Sequence, residues 1–269
     1  MTADLTFDHF LKKVCPQRDL DWRKYRRASQ RKVLARICEL GLNDFSDYVR
    51  YLELNPEEAH ALPNLLHVTV SRFFRERAVW DYLGKIVLPG ILFRIGSLRP
   101  LRVLSVGSCN GEEPYSMALL WKSMLQPEFP GWEIFITALE VDQSCLNRAL
   151  HGFYSGKTLR EVHPSLVNEW FVPESGGYRL KAEVRKMVQF KKFDLLKNNL
   201  PRDQDLIFCR YLVFTYFHGQ RRLNMAKKIL SAINQKGILV LGQKEELDFQ
   251  ERSLLNLVSR GPGIYERKC

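Results

Sequence analysis

Two adjacent carboxylates follow a glycine-containing turn in residues 104–121, LSVGSCNGEEPYSMALLW. The carboxylates are Glu112 and Glu113, and the glycines are Gly107 and Gly111. The apolar run before the turn is typical of a buried strand, and the run after it predicts a helix. Gly107 allows a tight turn after the strand, and Gly111 is expected to let a ligand approach the backbone. In an open α/β sheet, ligands bind beyond the carboxyl ends of the strands, which is where this turn lies.

The spacing and charge of the turn restrict the ligand. G-x-x-x-G is neither the dinucleotide pattern G-x-G-x-x-G nor a P-loop, because no P-loop lysine follows it. This spacing disfavours a nicotinamide dehydrogenase. The two carboxylates would repel a phosphate but can hold the positive part of a cationic ligand. S-adenosylmethionine is such a ligand, since it carries a sulfonium, an ammonium and neutral ribose hydroxyls.

A further acid closes the next predicted strand, in the stretch ALEVD at residues 138–142. A carboxylate at this position can accept both ribose hydroxyls of an adenosine ligand, and Glu140 is the candidate. Helix capping is the alternative role for an acid here. Capping suits Asp142 well and Glu140 poorly.

Strands alternate with helices after residue 100, which predicts a doubly wound, mostly parallel α/β sheet. Residues 151–185 interrupt the alternation, and Gly176-Gly177 followed by residues 178–184 predicts a small inserted hairpin unit. Before about residue 90, apolar residues recur at helical spacing and predict an all-helical region. The predicted strands are 101–106, 133–139, 186–193, 205–209 and 237–242, and the predicted helices of the α/β part are 114–121, 142–150 and 220–233.

The 269 residues are 45% hydrophobic, enough for one large domain or two modest ones. No apolar run of about 18 residues occurs, so no membrane insertion is expected, and the N-terminus lacks the pattern of a signal peptide. The scattered cysteines form no C-x-x-C pair, which indicates neither a zinc or other metal site nor a disulfide framework. A reduced, cytoplasmic setting is therefore expected.

The net charge of +11 favours an acidic partner, whether protein, nucleic acid or lipid. Basic residues concentrate between Arg18 and Arg36, where Asp19 and Asp21 are the acids. This stretch is either a solvated helix face or a docking surface for an acidic protein. No RNA-binding signature or Cys/His finger accompanies it, so nucleic acid is not the expected partner.

Over nearly its whole length the sequence resembles the CheR-type chemotaxis-receptor glutamate methyltransferases. The matching stretches are VTVSRFFRE at 68–76, SCNGEEPYS at 108–116, ALEVD at 138–142, FDL at 193–195 and FCRYLVFTYF at 208–217. The FFRE and GEEPYS runs are specific to that family. The resemblance implies a helical N-terminal domain and linker over 1–85. It also implies a Rossmann-like S-adenosylmethionine-dependent methyltransferase domain over 86–269, with an inserted β-subdomain at about 152–190.

The resemblance also implies a set of site residues, with S-adenosylmethionine as the cofactor and S-adenosylhomocysteine as its product. Arg75 and Tyr216 match the positions that the family uses near the transferred methyl group. Glu112 would meet the methionine end, Glu140 the ribose, and Asp194 with Leu195 the adenine. The remaining cofactor-binding candidates are Thr69, Ser71 and again Arg75 over the cofactor, Gly107 in the turn, and Tyr211 and Leu212 beneath the cofactor.

The sequence departs from the family pattern in several places, including FTYF at 214–217, which differs from the usual isoleucine form. It also has Tyr211 where the family has the asparagine of C-R-N, and Gln243 where the family has the histidine of G-H-S-E. Tyr211 is expected to stack, to hydrogen bond or to block the site. These departures fall near the expected acceptor position, so they bear on the identity of the acceptor more than on the fold.

Three functions remain open at this point. The first is methylation of glutamates on a chemotaxis receptor or related signalling protein by a monomeric enzyme. Its acidic helical substrate would meet a basic N-terminal helix carrying Arg26, Arg27, Arg31 and Arg36. The second is methylation of a different protein or a small molecule. The third is a catalytically silent cofactor-sensing or docking protein, against which the retained FFRE and GEEPYS runs argue.

Overall fold

The computed structural model describes residues 5–14, 26–66, 71–259, 261 and 263–268. The chain forms two compact units, one comprising Met1–Thr69 with Thr215–Arg221 and the other Val70–Phe214 with Arg222–Cys269. The sequence analysis assigned residues 1–85 to the helical domain and its linker, and the described residues 71–85 belong to the second unit.

The first unit is built on amphipathic helices, as the helical spacing of its apolar residues predicts. Its buried core includes Phe10, Val33 and Tyr48. Asp44 begins the third helix by accepting hydrogen bonds from the Ser46 and Asp47 amides. The helices are α1 (Phe7–Val14), α2 (Arg26–Glu39), α3 (Phe45–Leu54) and α4 (Pro56–Leu66).

A seven-stranded sheet forms the centre of the second unit, in the order β6-β2-β1-β7-β8-β10-β9. The five neighbouring strands β6, β2, β1, β7 and β8 run parallel to one another, and β10 is antiparallel to both β8 and β9. The sheet strands are β1 (Leu101–Val106), β2 (Ile134–Glu140), β6 (Val188–Lys192), β7 (Gln204–Phe208), β8 (Ile233–Val240), β9 (Leu255–Ser259) and β10 (Ile264–Arg267). This confirms the predicted mostly parallel sheet and adds the β9–β10 hairpin, which the sequence analysis missed.

Helices between the strands bury the sheet. Those of the second unit are α5 (Arg77–Tyr82), α6 (Leu88–Ile95), α7 (Glu112–Leu120), α8 (Gln126–Glu128), α9 (Gln143–His151), α10 (Pro164–Trp170), α11 (Ala182–Arg185) and α14 (Phe249–Ser253). Two further helices, α12 (Val213–Tyr216) and α13 (Gly219–Ala232), run through the segment assigned to the first unit. The wider helical turns Leu83–Val87 and Trp121–Leu125 extend α5 and α7.

The strand order reverses between β1 and β7, since the chain leaves β1 towards β2 and returns on its other side at β7. The loops after β1 and β7 therefore flank the crevice at which α/β sheets of this kind bind their ligands. These loops contain Gly107–Gly111 and Cys209–Leu212, respectively.

The inserted segment forms a small antiparallel sheet in the order β3-β5-β4. Its strands are β3 (Phe153–Tyr154), β4 (Phe171–Glu174) and β5 (Gly177–Leu180). The sequence predicted a hairpin unit at Gly176-Gly177 and residues 178–184; the structure has the β4–β5 hairpin there, but β5 ends at Leu180 and α11 follows it. The strand β3 was not predicted, because two residues are too few to show a strand pattern. Among the described residues, no helix is both long and apolar enough to cross a membrane.

Candidate cofactor and active site

The turn after β1 needs both of its glycines for steric reasons. Gly107 has φ 76° and Gly111 φ 90°, values that other residues rarely adopt. A Cβ on Gly107 would lie 2.9 Å from Leu212 Cδ2, so Leu212 packs directly on the turn. A Cβ on Gly111 would lie 3.0 Å from atoms of Ala149, Tyr115 and Phe190. Gly111 is therefore required by the packing of the protein, and the expectation that it lets a ligand approach the backbone stays a prediction.

Glu112, the first residue of α7, is a buried acid with one carboxylate oxygen that lacks a hydrogen-bond partner in the described part of the chain. Its side chain is 1% exposed, and within the described residues its Oε2 atom has no hydrogen-bond partner. Burial raises the pKa of this carboxyl, while hydrogen bonds from Asn110 and Ser71 favour its charged form. A buried carboxylate oxygen without a partner is costly. An ammonium or sulfonium placed against it would remove that cost, so the site fits the cationic end of S-adenosylmethionine.

Glu113, by contrast, has partners within the protein. It accepts hydrogen bonds from Ser105 Oγ at 2.8 Å and from Arg210 at 3.4 Å. Burial raises the pKa of Glu113, and the charge of Arg210 opposes that rise. The two adjacent acids thus differ in role. Glu112 is available to a ligand, whereas Glu113 supports the fold.

Glu140 ties the loops after β1 and β2 together. Its Oε1 atom accepts hydrogen bonds from the Val141 and Asp142 amides, at 2.9 and 3.0 Å, and its Oε2 atom accepts one from the Cys109 amide at 2.8 Å. Each carboxylate oxygen can accept about two hydrogen bonds. Oε2 therefore retains capacity for one more donor, such as a ribose hydroxyl. Asp142 caps α9, as the sequence predicts.

Asp194 and Leu195 follow β6 at the same edge of the sheet. β6 pairs in parallel with β2, and the Phe193 amide donates to the Glu140 carbonyl at 2.9 Å. Both residues are half-buried. The Asp194 carboxylate accepts from the Leu196 amide at 2.9 Å, which orders this loop.

The segment that carries Arg75 is bound to the helix that carries Glu112. The Phe74 amide donates to Ser116 Oγ at 2.8 Å, and Ser116 lies one turn after Glu112 on α7. Phe74 and Glu76, on either side of Arg75, both have positive φ values, 50° and 62°. Such conformations are costly for residues other than glycine and occur where the surroundings impose them, often at functional sites.

Arg75 lies against Tyr211, in the loop after β7. The guanidinium carbon is 4.1 Å from the centroid of the Tyr211 ring, and the Tyr211 hydroxyl donates a hydrogen bond to Glu76. Of the three alternatives for Tyr211, the structure therefore has both stacking and hydrogen bonding.

A model of the CheR methyltransferase S-adenosylmethionine-binding domain matches residues 69–261 of this sequence. The chain belongs to the CheR methyltransferase family. It is 28% identical over 250 residues to a chemotaxis protein methyltransferase of Listeria innocua, covering 92% of this chain and 93% of the relative. It is 32% identical over 228 residues to chemotaxis protein methyltransferase 2 of Vibrio cholerae, covering 81% and 76%. Against the Escherichia coli chemotaxis protein methyltransferase the values are 28% over 242 residues, covering 87% and 80%.

Membership of the CheR family confirms the resemblance, the S-adenosylmethionine cofactor and the Rossmann-like methyltransferase fold. Two of the predicted site residues stand apart from the geometry above. Thr69 lies outside the described residues. Tyr216 is the half-buried last residue of α12 and belongs to the first unit, so its place beside the transferred methyl stays a prediction.

The predicted docking arginines of this CheR-family chain lie on α2 and differ in what they contact. Arg27 and Arg31 are exposed, and Arg31 Nε donates to the Arg27 carbonyl. Arg36 instead binds Glu58 through two hydrogen bonds of 2.9 and 2.8 Å. Arg36 therefore stabilises the helical unit, and Arg27 and Arg31 are the better candidates for docking. Arg26 begins α2.

Sequence reasoning missed Arg210, Glu76 and Glu245 as parts of the site. Arg210 donates to the Arg75 carbonyl at 2.8 Å and to Glu76 at 2.7 Å. Glu245 Oε2 accepts from the Tyr211 amide at 2.7 Å and from the Gly242 amide at 2.8 Å. A charged residue two positions after the buried strand β7 was the available signal for Arg210, because a buried charge requires a partner.

Proposed function

We propose that this CheR-family methyltransferase transfers the methyl group of S-adenosylmethionine to glutamate carboxylates of a chemotaxis receptor or a related signalling protein. The proposal rests on two side chains of opposite charge that lie on segments joined by a hydrogen bond. Glu112, which suits a cationic cofactor, and Arg75, which suits an anionic acceptor, lie on segments joined by the Phe74–Ser116 hydrogen bond. The names of the relatives support a substrate of the chemotaxis system.

When bound, S-adenosylmethionine supplies a methyl group on a positively charged sulfur. In the proposed site Glu112 holds the methionine end with Ser71, and Glu140 accepts a ribose hydroxyl on Oε2. Asp194 and Leu195 would hold the adenine. Leu212, packed on Gly107, forms the floor of the site. These residues bind and orient the cofactor, and they exclude water from the reacting end.

A glutamate acceptor needs no general base, since its pKa of about 4.3 leaves it ionised at neutral pH. The enzyme must instead align the carboxylate with the methyl group, and alignment can contribute roughly 7–11 kcal/mol in favourable cases. Arg75 is the residue proposed to orient the acceptor, because a guanidinium can bind both oxygens of a carboxylate. Tyr216 is proposed to contact the same end of the acceptor.

The test is transfer of radiolabelled methyl groups from S-adenosylmethionine to the cytoplasmic helical fragment of a chemotaxis receptor. The matched substrate carries alanine in place of the methylated glutamates. Base-labile label on the first fragment alone would support a glutamate ester. Label on a different acceptor would favour the second function, to which the Tyr211 and Gln243 departures point. Cofactor binding without any transfer would favour a silent docking protein.

Glu140→Ala is expected to weaken S-adenosylhomocysteine binding by about 10- to 100-fold. The change removes a charged hydrogen-bond acceptor, worth roughly 1.5–3 kcal/mol, and releases the three amides that Glu140 joins. Calorimetric titration measures the affinity. Glu133→Ala is the matched control, because Glu133 is an exposed acid just before the opposite end of the same strand. Equal affinity in both variants would remove Glu140 from the proposed site.

Reversing charge on α2, in the double variant Arg27→Glu/Arg31→Glu, is expected to raise KM for an acidic helical acceptor about tenfold at low salt. Rim charges act mainly on encounter and lose effect as salt screens them. S-adenosylhomocysteine affinity should stay the same. Lys12→Glu/Lys13→Glu is the control, since it makes the same change of charge at exposed positions of α1 in the same unit. A similar KM for the two double variants would contradict a docking role for α2.

A further inference from the structure

Tyr211, where the family pattern has asparagine, has its ring fitted between specific groups of this chain. The Arg75 guanidinium carbon lies 4.1 Å from the ring centroid. Gly242 lies against the ring as well, because a Cβ at Gly242 would come within 2.5 to 2.8 Å of Tyr211 Cζ, Cε1 and Cε2. A side chain at position 242 and the ring at 211 therefore exclude each other.

The backbone of Tyr211 is held in a conformation that aims the ring. Its φ is 54°, in the left-handed region that is uncommon for a bulky residue. Glu245, which is buried, accepts hydrogen bonds through one oxygen from both the Tyr211 and the Gly242 amides. The same carboxylate thus sets the spacing between the ring and the glycine beneath it.

The hydroxyl of Tyr211 is fixed by Glu76. It donates to Glu76 Oε1, while Glu76 Oε2 accepts from Arg210 at 2.7 Å and from the Gln243 amide at 3.2 Å. Burial and the bond to Glu76 raise the pKa of Tyr211 to about 12, so the hydroxyl keeps its proton at neutral pH. Tyr211 is therefore held at its amide by Glu245, at its ring face by Arg75, and at its hydroxyl by Glu76.

We propose that Tyr211 is the positioning residue for Arg75, providing a rigid aromatic surface on which the guanidinium rests in the orientation that receives the acceptor carboxylate. Its hydroxyl, through Glu76, keeps that surface in place. This inference rests on the proposed function, since it assigns Arg75 to the acceptor. The guanidinium of Arg75 is attracted to the face of the Tyr211 ring. Phenylalanine presents the same ring face, so Tyr211→Phe should keep this contact.

The first experiment compares Tyr211→Phe and Tyr211→Leu with the wild type in kcat, in KM for a receptor fragment and in S-adenosylhomocysteine affinity. Tyr211→Leu removes the ring and is expected to lower kcat about 100-fold, the scale of a misplaced catalytic group. Tyr211→Phe should restore kcat to within about tenfold of the wild type. Cofactor affinity should change by less than about threefold in both variants. Parallel losses of cofactor affinity and kcat would assign Tyr211 to the cofactor and overturn the proposal.

Gly242→Ala supplies a second route to the same defect, because its methyl group would displace the ring. It should lower kcat on its own and add little in the Tyr211→Leu background, where no ring remains to be displaced. Such non-additivity is expected of residues that act through one contact. Fully additive effects of the two substitutions would contradict a shared action on Arg75.

Proton–nitrogen NMR of the full chain separates this inference from the proposed function, because it requires no turnover. The Arg75 Nε–H signal, assigned through Arg75→Lys, should be shifted by the ring current of Tyr211. The shift should persist in Tyr211→Phe and vanish in Tyr211→Leu. A signal that is the same in all three proteins would overturn the inference even if the wild type methylates its acceptor. A shift that is present in the wild type and lost in Tyr211→Leu, in a wild type that does not methylate the acceptor, would leave the positioning intact and refute only the acceptor.

Discussion

Glu112→Gln is expected to lower the affinity for S-adenosylmethionine by about 30-fold or more. The substitution keeps the shape of the side chain and removes the buried charge that would face the cationic end of the cofactor. Removing one partner of a buried charge pair costs roughly 2–5 kcal/mol, and 1.4 kcal/mol is a factor of ten in affinity. Calorimetric titration with S-adenosylmethionine measures the change.

The same variant should be at least as stable as the wild type when no cofactor is bound. Burial raises the pKa of Glu112 in the folded protein. A raised carboxyl pKa means that the folded state disfavours the charge, so this group destabilises the protein as pH rises above its unfolded value. Glutamine removes that cost. A thermal unfolding midpoint that falls markedly in Glu112→Gln would contradict the interpretation of Glu112 as a buried acid whose Oε2 atom has no partner among the residues described.

The pH dependence of binding gives an independent measure of Glu112. A cation binds the ionised carboxylate, so affinity should be full above the raised pKa of Glu112 and should decline as pH falls through it. Binding near that pKa should release a proton, which calorimetry detects as a heat that varies with the ionisation enthalpy of the buffer. Glu112→Gln should lose this dependence. Persistence of the same proton release in the variant would assign it to another group.

The parallel strands and their ligand-binding edge could be predicted because the information is local. β1 and β7 are rich in apolar residues and almost wholly buried, as expected of strands covered on both faces. Gly107 follows β1 and Glu140 ends β2, and ligand sites occur at such strand ends. The β9–β10 hairpin was missed because its strands, LNLVS and IYER, are short and carry polar residues without a regular alternation.

The roles of individual charges could not be predicted, because they depend on partners distant in sequence. Glu113 meets Arg210 across 97 positions, and Arg36 meets Glu58 across 22. Neither motif nor helical spacing shows such pairs. The adjacent acids Glu112 and Glu113 therefore looked equivalent, and Arg36 looked like the other arginines of its helix. Which charge pairs with which is known only from the folded structure, where residues distant in sequence lie side by side.

Arg210→Met is expected to destabilise the second unit by about 3–5 kcal/mol. The Arg210 side chain is 3% exposed and lies 2.7 Å from Glu76 and 3.4 Å from Glu113. Its removal leaves Glu113 without its buried cation, and breaking a buried ion pair by removing one partner costs about this much. Urea unfolding followed by circular dichroism, with the transition of each unit fitted separately, measures the change.

Arg179→Met is the matched control for Arg210→Met. Arg179 binds Glu174 at 2.6 Å, but this pair is more exposed, with 28% and 38% of the side chains accessible. Exposed pairs contribute roughly 0–1 kcal/mol. A loss of stability in Arg210→Met no larger than that in Arg179→Met would contradict the assignment of Arg210 as the central charge of this network.

The double variant Arg210→Met/Glu113→Gln tests whether the Glu113 carboxylate, left without Arg210, causes the loss of stability. It should recover part of the stability lost in Arg210→Met, since position 113 then carries no charge that has lost its cation. The loss in the single variant should also shrink as pH falls, because burial raises the pKa of Glu113 and protonation then neutralises it. A carboxyl group whose pKa is raised in the folded state destabilises the protein above its unfolded pKa. Protonation at low pH removes this cost. A loss independent of pH and unrelieved by Glu113→Gln would place the cost on the contacts of Arg210 with Glu76 and the Arg75 carbonyl instead.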